Sequence, residues 1–402
     1  MLQVIINEIN GERNLQQVTK NLASRYNENY AELKDTVINF INENGYLFTI
    51  NNFSSVNESV GNWDFQVPLN ISIELTNYCN LKCKHCYNNC SIDNDNFIDK
   101  NEILSLLHDL KNLGLSSVEL TGGEPLSHPN FNEIVEYCLK SFNLVAIITN
   151  GTLVDHEKIQ IFKKYKNKLM IQVSLNGSNE NFVDSFCNVK GTFKKVKNTL
   201  KQFNNENIPC VVAIAITPKN IKDIFNTVSL IKTLGINKWR YSFTIPVGRG
   251  ASDEFIFTKE DIEIFKTEFE KLNNLLGSEE QERIVLLNEK IVSSNNMLRN
   301  CGAGSKNLAI DPSLNVKLCL LSNIHNHDFS FGKINSKNIE EILSKIAKKR
   351  IDQINCPSDE ICGDCKFNMF CNGCIIRGCM KYDEIKGDCK WGEIFKNDLN
   401  IL

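Results

Sequence analysis

Three cysteines, Cys79, Cys83 and Cys86, fall within eight residues in the spacing Cys-x3-Cys-x2-Cys, directly after an alternating apolar run over 69–75. Three thiolates this close can hold three irons of a cubane four-iron four-sulfur cluster and leave the fourth iron without a protein ligand. An iron with a free position binds a small molecule, so the triplet points to chemistry and not only to electron storage. A zinc ion is the other group such thiols serve. Zinc motifs, however, usually pair one Cys-x2-Cys with a matching knuckle nearby. Cys90 is the only other close thiol, and it reads as a bystander.

With His85 before the last cysteine and Tyr87 after it, the segment resembles the signature of radical S-adenosylmethionine enzymes. The resemblance implies that the open iron chelates the amino and carboxylate groups of S-adenosylmethionine. A cluster electron then cleaves the sulfonium, and the 5'-deoxyadenosyl radical takes a hydrogen atom from the substrate. A reductant such as flavodoxin or ferredoxin is implied with it.

The rest of the chain must position these thiols. Between 69 and about 280, short β-branched runs alternate with amphipathic helical stretches, the pattern of a parallel α/β sheet. Strands are predicted over 71–75, 117–120, 145–149, 170–175, 210–217 and 239–245, with helices between them such as 100–113 and 193–203. Six such units match the partial (β/α)6 parallel barrel that the resemblance implies, in which ligands gather at the C-terminal strand ends. The expected α/β architecture is this partial barrel over 66–290, a C-terminal Cys-rich iron-sulfur domain over 291–402 and a small N-terminal winged-helix-like module over 1–65.

After the second strand, Thr121-Gly122-Gly123-Glu124-Pro125 lets backbone approach a ligand, and its carbonyls and Glu124 can accept from an ammonium. An ordinary strand-to-helix turn would use the same glycines. By resemblance the segment, Pro125 included, holds the methionyl amino group. Asn150 ends the third strand and Ser174 the fourth, where small polar side chains can hold a ribose or carboxylate. Ser174 matches the family's ribose-binding serine, with Asn176 where an Asp usually stands. Ile216 reads as a core residue and, by resemblance, as one lining the adenine. Where the family carries an arginine for the cosubstrate carboxylate, this chain has Cys187, so Lys190 or Arg249 is expected to serve. Cys187 is read either as a packed small residue or as a hydrogen-atom donor or substrate ligand.

Nine cysteines crowd the C-terminal part: Cys301, Cys319, Cys356, Cys362, Cys365, Cys371, Cys374, Cys379 and Cys389. By count alone this is a metal-binding region, and a zinc ribbon is one reading. The run Cys362-x2-Cys365-x5-Cys371-x2-Cys374, preceded by Cys301-x17-Cys319 and followed by Cys389, resembles the SPASM extension, which holds two auxiliary four-iron four-sulfur clusters. The resemblance implies three clusters in all. Cys362, Cys365, Cys371 and Cys389 would close one auxiliary cluster, and Cys301, Cys319 and Cys374 would hold the other. Two departures stand out: Leu314 occupies the family's glycine five residues before Cys319, and an extra cysteine often found shortly before Cys301 is missing. Either Cys356 or Cys379 fills that place, or one iron stays open to a substrate thiolate.

The first 65 residues have no cysteine. Helical patterns from 11 and over 30–44, then a short strand over 45–50, look like a shortened leader-peptide recognition module of ribosomally made peptide systems; a plain helical lid reads equally well. Such modules bind a leader by strand addition.

A net charge of -3, from 45 basic and 48 acidic residues interleaved along the chain, gives no footprint for nucleic acid. No 18-residue apolar span or N-terminal signal pattern occurs, so neither membrane insertion nor secretion is expected. In the cytoplasmic setting this implies, the clustered ones among the sixteen cysteines read as metal or redox groups, while Cys138, Cys187 and Cys210 stand alone. The expected function is a radical S-adenosylmethionine peptide maturase that forms a thioether crosslink. Peptide epimerisation, carbon-carbon crosslinking and sulfatase maturation are the alternatives within that chemistry, and a non-catalytic iron-sulfur electron carrier is the alternative outside it.

Overall fold

The structure, a computed structural model, describes residues 15–26, 29–43, 67–275, 301–322, 329–349, 351 and 354–396. The strand expected over 45–50 and the boundary expected at 290 lie outside the described residues. Two helices, α1 (Leu15–Tyr26) and α2 (Tyr30–Glu43), stand at the N-terminus.

Six parallel strands follow the expected pattern to within two residues at each end: β1 (Asn70–Glu74), β2 (Ser117–Thr121), β3 (Leu144–Thr149), β4 (Leu169–Ser174), β5 (Cys210–Ile216) and β6 (Trp239–Phe243). They are separated by α3 (Lys100–Asn112), α4 (Phe131–Ser141), α5 (His156–Lys164), α6 (Glu180–Cys187), α7 (Thr192–Asn205) and α8 (Ile224–Thr233). The helices form for legible reasons. Asp99 caps α3 by accepting from the Asn101 and Glu102 amides, and Ile103, Leu106, Leu107 and Leu110 form its buried stripe. In α7, Phe193, Val196, Leu200 and Phe203 recur at helical spacing, each large side chain contributing about 1.5–3 kcal/mol on burial.

After α9 (Lys259–Leu275) the sheet continues beyond its expected edge. Strand β7 (Asn307–Ile310) pairs parallel to β1, and β8 (Asn315–Lys317) and β9 (Ser330–Lys333) extend it antiparallel. The order is β6-β5-β4-β3-β2-β1-β7-β8-β9, so the C-terminal region is hydrogen-bonded to the strand that carries the first cysteines. Leu314 turns between β7 and β8 with φ 66°, the left-handed conformation a glycine would adopt freely, while its side chain is buried.

The remaining helices are α10 (Ile339–Lys348), the short α11 (Asp359–Cys362) and α12 (Asn368–Cys371), α13 (Ile375–Ile385) and α14 (Lys390–Ile394). α10 packs on the large core under the parallel strands through Ile339, Ile342, Leu343 and Ile346, whereas α11, α13 and α14 contribute to a second apolar core around Leu318, Ile375, Ile376 and Trp391. No helix among the described residues is long and apolar enough to cross a membrane.

Candidate active site

Cys79, Cys83 and Cys86 leave β1 on a loop that is held from several sides. Lys82 and Lys84 amides donate to the carbonyls of Cys187 (3.1 Å) and Phe186 (2.9 Å) at the end of α6, and the Arg249 amide donates to the Cys86 carbonyl (3.0 Å). The Arg249 guanidinium closes the loop: Nε donates to the Cys83 carbonyl at 2.9 Å and Nη2 to the Cys90 carbonyl at 2.7 Å. His85 stacks on Phe186 with ring centroids 4.6 Å apart; burial pushes its imidazole down to about 4, and Nδ1 has no hydrogen-bond partner.

The thiols themselves face a cavity of about 450 Å³ at the C-terminal strand ends. Burial pushes Cys79 up to about 12, and a hydrogen bond with Cys187, then burial, push Cys83 up. Cys86 is drawn down to about 6 by a hydrogen bond from Cys90, whose thiol is therefore part of the site. As thiolates the three need a cationic group among them, which is what iron supplies. No group of three His, Cys, Asp or Glu side chains among the described residues converges on the point a single ion would occupy. An all-sulfur donor set around one cavity fits an iron-sulfur cluster.

Gly122 and Gly123 bring the next turn directly under this loop. A Cβ on Gly122, at φ +127°, would stand 2.4 Å from the Thr76 carbonyl oxygen, and one on Gly123 2.1 Å from that of Tyr78. Both glycines line the cavity, as do Asn150, Ser174 and Asn176. Asn150 Nδ2 reaches the Cys79 sulfur at 3.9 Å and Asn80 Oδ1 at 2.9 Å, while Asn176 Oδ1 accepts from the Ala215 amide at 2.8 Å and ties β4 to β5.

Glu124 and Pro125 are buried and do not line the cavity. The Glu124 carboxylate accepts from Thr149 Oγ1 (2.6 Å) and the amides of Asn150 (2.7 Å) and Leu126 (3.2 Å), and burial pushes it up to about 7. It is a strut between β2 and β3, and in this arrangement it does not face a ligand. Ile216 also points away from the cavity, which β5 lines with Ala213, Ile214 and Ala215. Arg249 lines it, yet Nε and Nη2 are engaged by the loop carbonyls; Lys190 is exposed and does not line it. Cys187 lines the cavity beside Cys83, and Tyr87, half-buried, lines it near Cys86, Cys90 and Glu74.

Glu119, Gln172 and Arg240 form a polar floor that sequence reading missed. Their signal was a long polar side chain inside each of β2, β4 and β6, since inward and outward side chains alternate along a strand.

The C-terminal cysteines fall into two sets. Cys362, Cys365, Cys371 and Cys389 line one cavity of about 230 Å³ beside Trp391 and Asn368. Cys301 and Cys319 lie near Cys374, close enough to feel each other's charge. The second set abuts the first site, because Leu320, Leu321 and Arg377 line the same cavity as Cys79, Cys83 and Cys86.

Comparison with known proteins agrees with this geometry. The Radical SAM superfamily profile matches residues 73–231, and that of the SPASM iron-sulfur cluster-binding domain matches 301–366. The antilisterial bacteriocin subtilosin biosynthesis protein AlbA of Bacillus subtilis (strain 168) is 29% identical over 394 residues, covering 96% of this chain and 86% of that protein. The sporulation killing factor maturation protein SkfB of the same strain is 29% identical over 189 residues, 47% of this chain and 46% of SkfB. Among solved structures, Streptococcus suis SuiB bound to precursor peptide SuiA shares the fold with a TM-score of 0.59 at 16% identity, over 88% of this chain and 79% of SuiB. Native anSMEcpe with bound AdoMet does so with a TM-score of 0.59 at 18% identity, over 83% and 98% of the two chains. With both domains present in order and a relative matched along nearly the whole chain, this protein carries a radical SAM domain followed by a SPASM domain and is a radical SAM enzyme homologous to peptide-modifying maturases.

Proposed function

We propose that the chain modifies a ribosomally made precursor peptide, taking a hydrogen atom from it and closing a sulfur-to-carbon thioether. The observation that carries this reading is the shared cavity: one wall is the loop of Cys79, Cys83 and Cys86, and another is the segment after Cys319 together with Arg377. A C–H and an S–H bond are lost and one C–S bond gained, a net oxidation that needs an electron acceptor close to the radical-generating site. Bound at these three thiol sets, four-iron four-sulfur clusters would supply reductive cleavage of S-adenosylmethionine at the first and electron acceptance at the two auxiliary ones.

The chain's own residues prepare that site. Gly122 and Gly123 leave backbone uncovered for the methionyl amino group, Asn150 and Ser174 offer hydrogen bonds at the strand ends, and the small side chains of Ala213 and Ala215 leave room for a flat base. Glu119, Gln172, Arg240 and Arg377 give the substrate end of the cavity its polarity. The N-terminal helices α1 and α2 belong, in this reading, to a leader-recognition module over 1–65. A flavodoxin or ferredoxin supplies the electron, and the protein works in the cytoplasm. Epimerisation is the alternative, with Cys187, which lines the cavity, as its hydrogen-atom donor.

The test is anaerobic incubation of the reconstituted protein with S-adenosylmethionine, dithionite and the small peptide encoded beside it, in deuterated buffer, read by mass spectrometry. A peptide two hydrogens lighter, with sulfur joined to carbon in its fragments, is the expected product. A peptide one mass unit heavier from deuterium uptake identifies an epimerase and rejects the thioether.

A further inference from the structure

We propose that Cys356 is the fourth protein ligand of the auxiliary cluster held by Cys301, Cys319 and Cys374, so that no iron of that cluster is left open to a substrate thiolate. The inference rests on the iron-sulfur reading of this region and settles which residue replaces the cysteine missing upstream of Cys301.

Both backbone neighbours of Cys356 are pinned. The Asn355 carbonyl accepts from Trp391 Nε1 at 2.6 Å, and the Pro357 carbonyl accepts from the Gly373 amide at 2.9 Å, one residue before Cys374. Pro357 is seated on α13 so closely that its Cγ lies 2.7 Å from where a Cβ on Gly378 would stand. These contacts deliver the Cys356 thiol into hydrogen-bond contact with Cys301 and within electrostatic reach of Cys374. Cys319 in turn lies within reach of Cys301 and Cys374, and the Cys301 sulfur accepts from the Ile375 amide at the start of α13. Cys301 and Cys356 therefore touch, with Cys319 and Cys374 in electrostatic reach of Cys301, at the N-terminal end of one helix, where amide donors favour an anionic sulfur.

Cys379, the other candidate, is 1% exposed in the interior of α13, within electrostatic reach of Asp383, Cys374 and Cys389, whereas the thiol hydrogen-bonded to Cys301 is that of Cys356.

The assignment is tested in the full chain carrying Cys79→Ala, Cys83→Ala and Cys86→Ala, which isolates the auxiliary sites. Iron and acid-labile sulfide per chain and the Mössbauer spectrum are compared after adding Cys356→Ala, Cys356→Ser or Cys379→Ala. Loss of iron, or a change in the spectrum of one cluster, with Cys356→Ala and a shifted spectrum with the isosteric Cys356→Ser are expected, while Cys379→Ala leaves both unchanged. Exogenous cysteine should alter the spectrum of the Cys356→Ala chain and not that of its parent. Iron content and spectrum unchanged in both Cys356 variants would overturn the assignment while leaving the domain reading intact. A parent chain that takes up no iron and sulfide would overturn both.

Discussion

Lys317 Nζ lies 2.8 Å from Glu74 Oε2, with the two side chains only 3% and 1% exposed. Glu74 ends β1, before the first cysteine loop, and its other oxygen accepts from Asn88 Nδ2 at 2.9 Å. Lys317 ends β8, two residues before Cys319. One buried ion pair thus ties the strand that leads into the loop of Cys79, Cys83 and Cys86 to the strand that leads to Cys319. Burial raises the Glu74 carboxyl and Lys317 opposes that rise.

Removing the cation alone should therefore be costly. Lys317→Met leaves a buried carboxylate unpaired and is expected to destabilise by about 3–5 kcal/mol. Adding Glu74→Leu should restore much of that loss. Urea denaturation of both single variants and the double variant measures the coupling, and additive losses would show that the pair does not act as a unit.

Glu124 sets a pH dependence. Burial raises its folded-state carboxyl from 4.5 to about 7, so the folded state holds a proton that the unfolded chain has already released between those values. Its contribution is fully present below pH 4.5 and is lost as pH rises through about 7, by on the order of 3 kcal/mol. Denaturation of wild type and Glu124→Gln across this window should show the steeper fall in wild type. Parallel slopes would exclude Glu124 as the source.

Arg249 holds the cysteine loop by two points, the carbonyls of Cys83 and Cys90. A lysine ammonium lacks the planar fork needed to reach both. Arg249→Lys should lose one charged hydrogen bond, about 1.5–3 kcal/mol of loop ordering, and release iron from the first site at least tenfold faster on dialysis. Iron retention equal to wild type would refute the clamp.

Much of this protein could be read before its structure. The six parallel strands were legible because β-branched runs and helical stripes alternate with period changes that local backbone preference alone produces, as in β5 and α7. The cysteine spacing was legible for a similar reason, since thiols three and four residues apart share a loop whatever surrounds them. Glu124 and Ile216 show where such reading stops. Each was expected near a ligand, yet the Glu124 carboxylate binds Thr149 and Asn150 and Ile216 is buried in the core outside the cavity lining, because the face of a strand is chosen by packing.

Cysteine identity and spacing by themselves determined that this chain does iron-sulfur chemistry at strand ends, because sulfur donors within a few residues of each other need no distant partner to become a site. Tertiary structure alone decided that Cys356 meets Cys301 and that Lys317 pairs with Glu74 across 243 positions. Those contacts arise when β7 pairs with β1 and the second core closes on Trp391. Long-range register of that kind is a cooperative outcome of burial, and no local pattern encodes it.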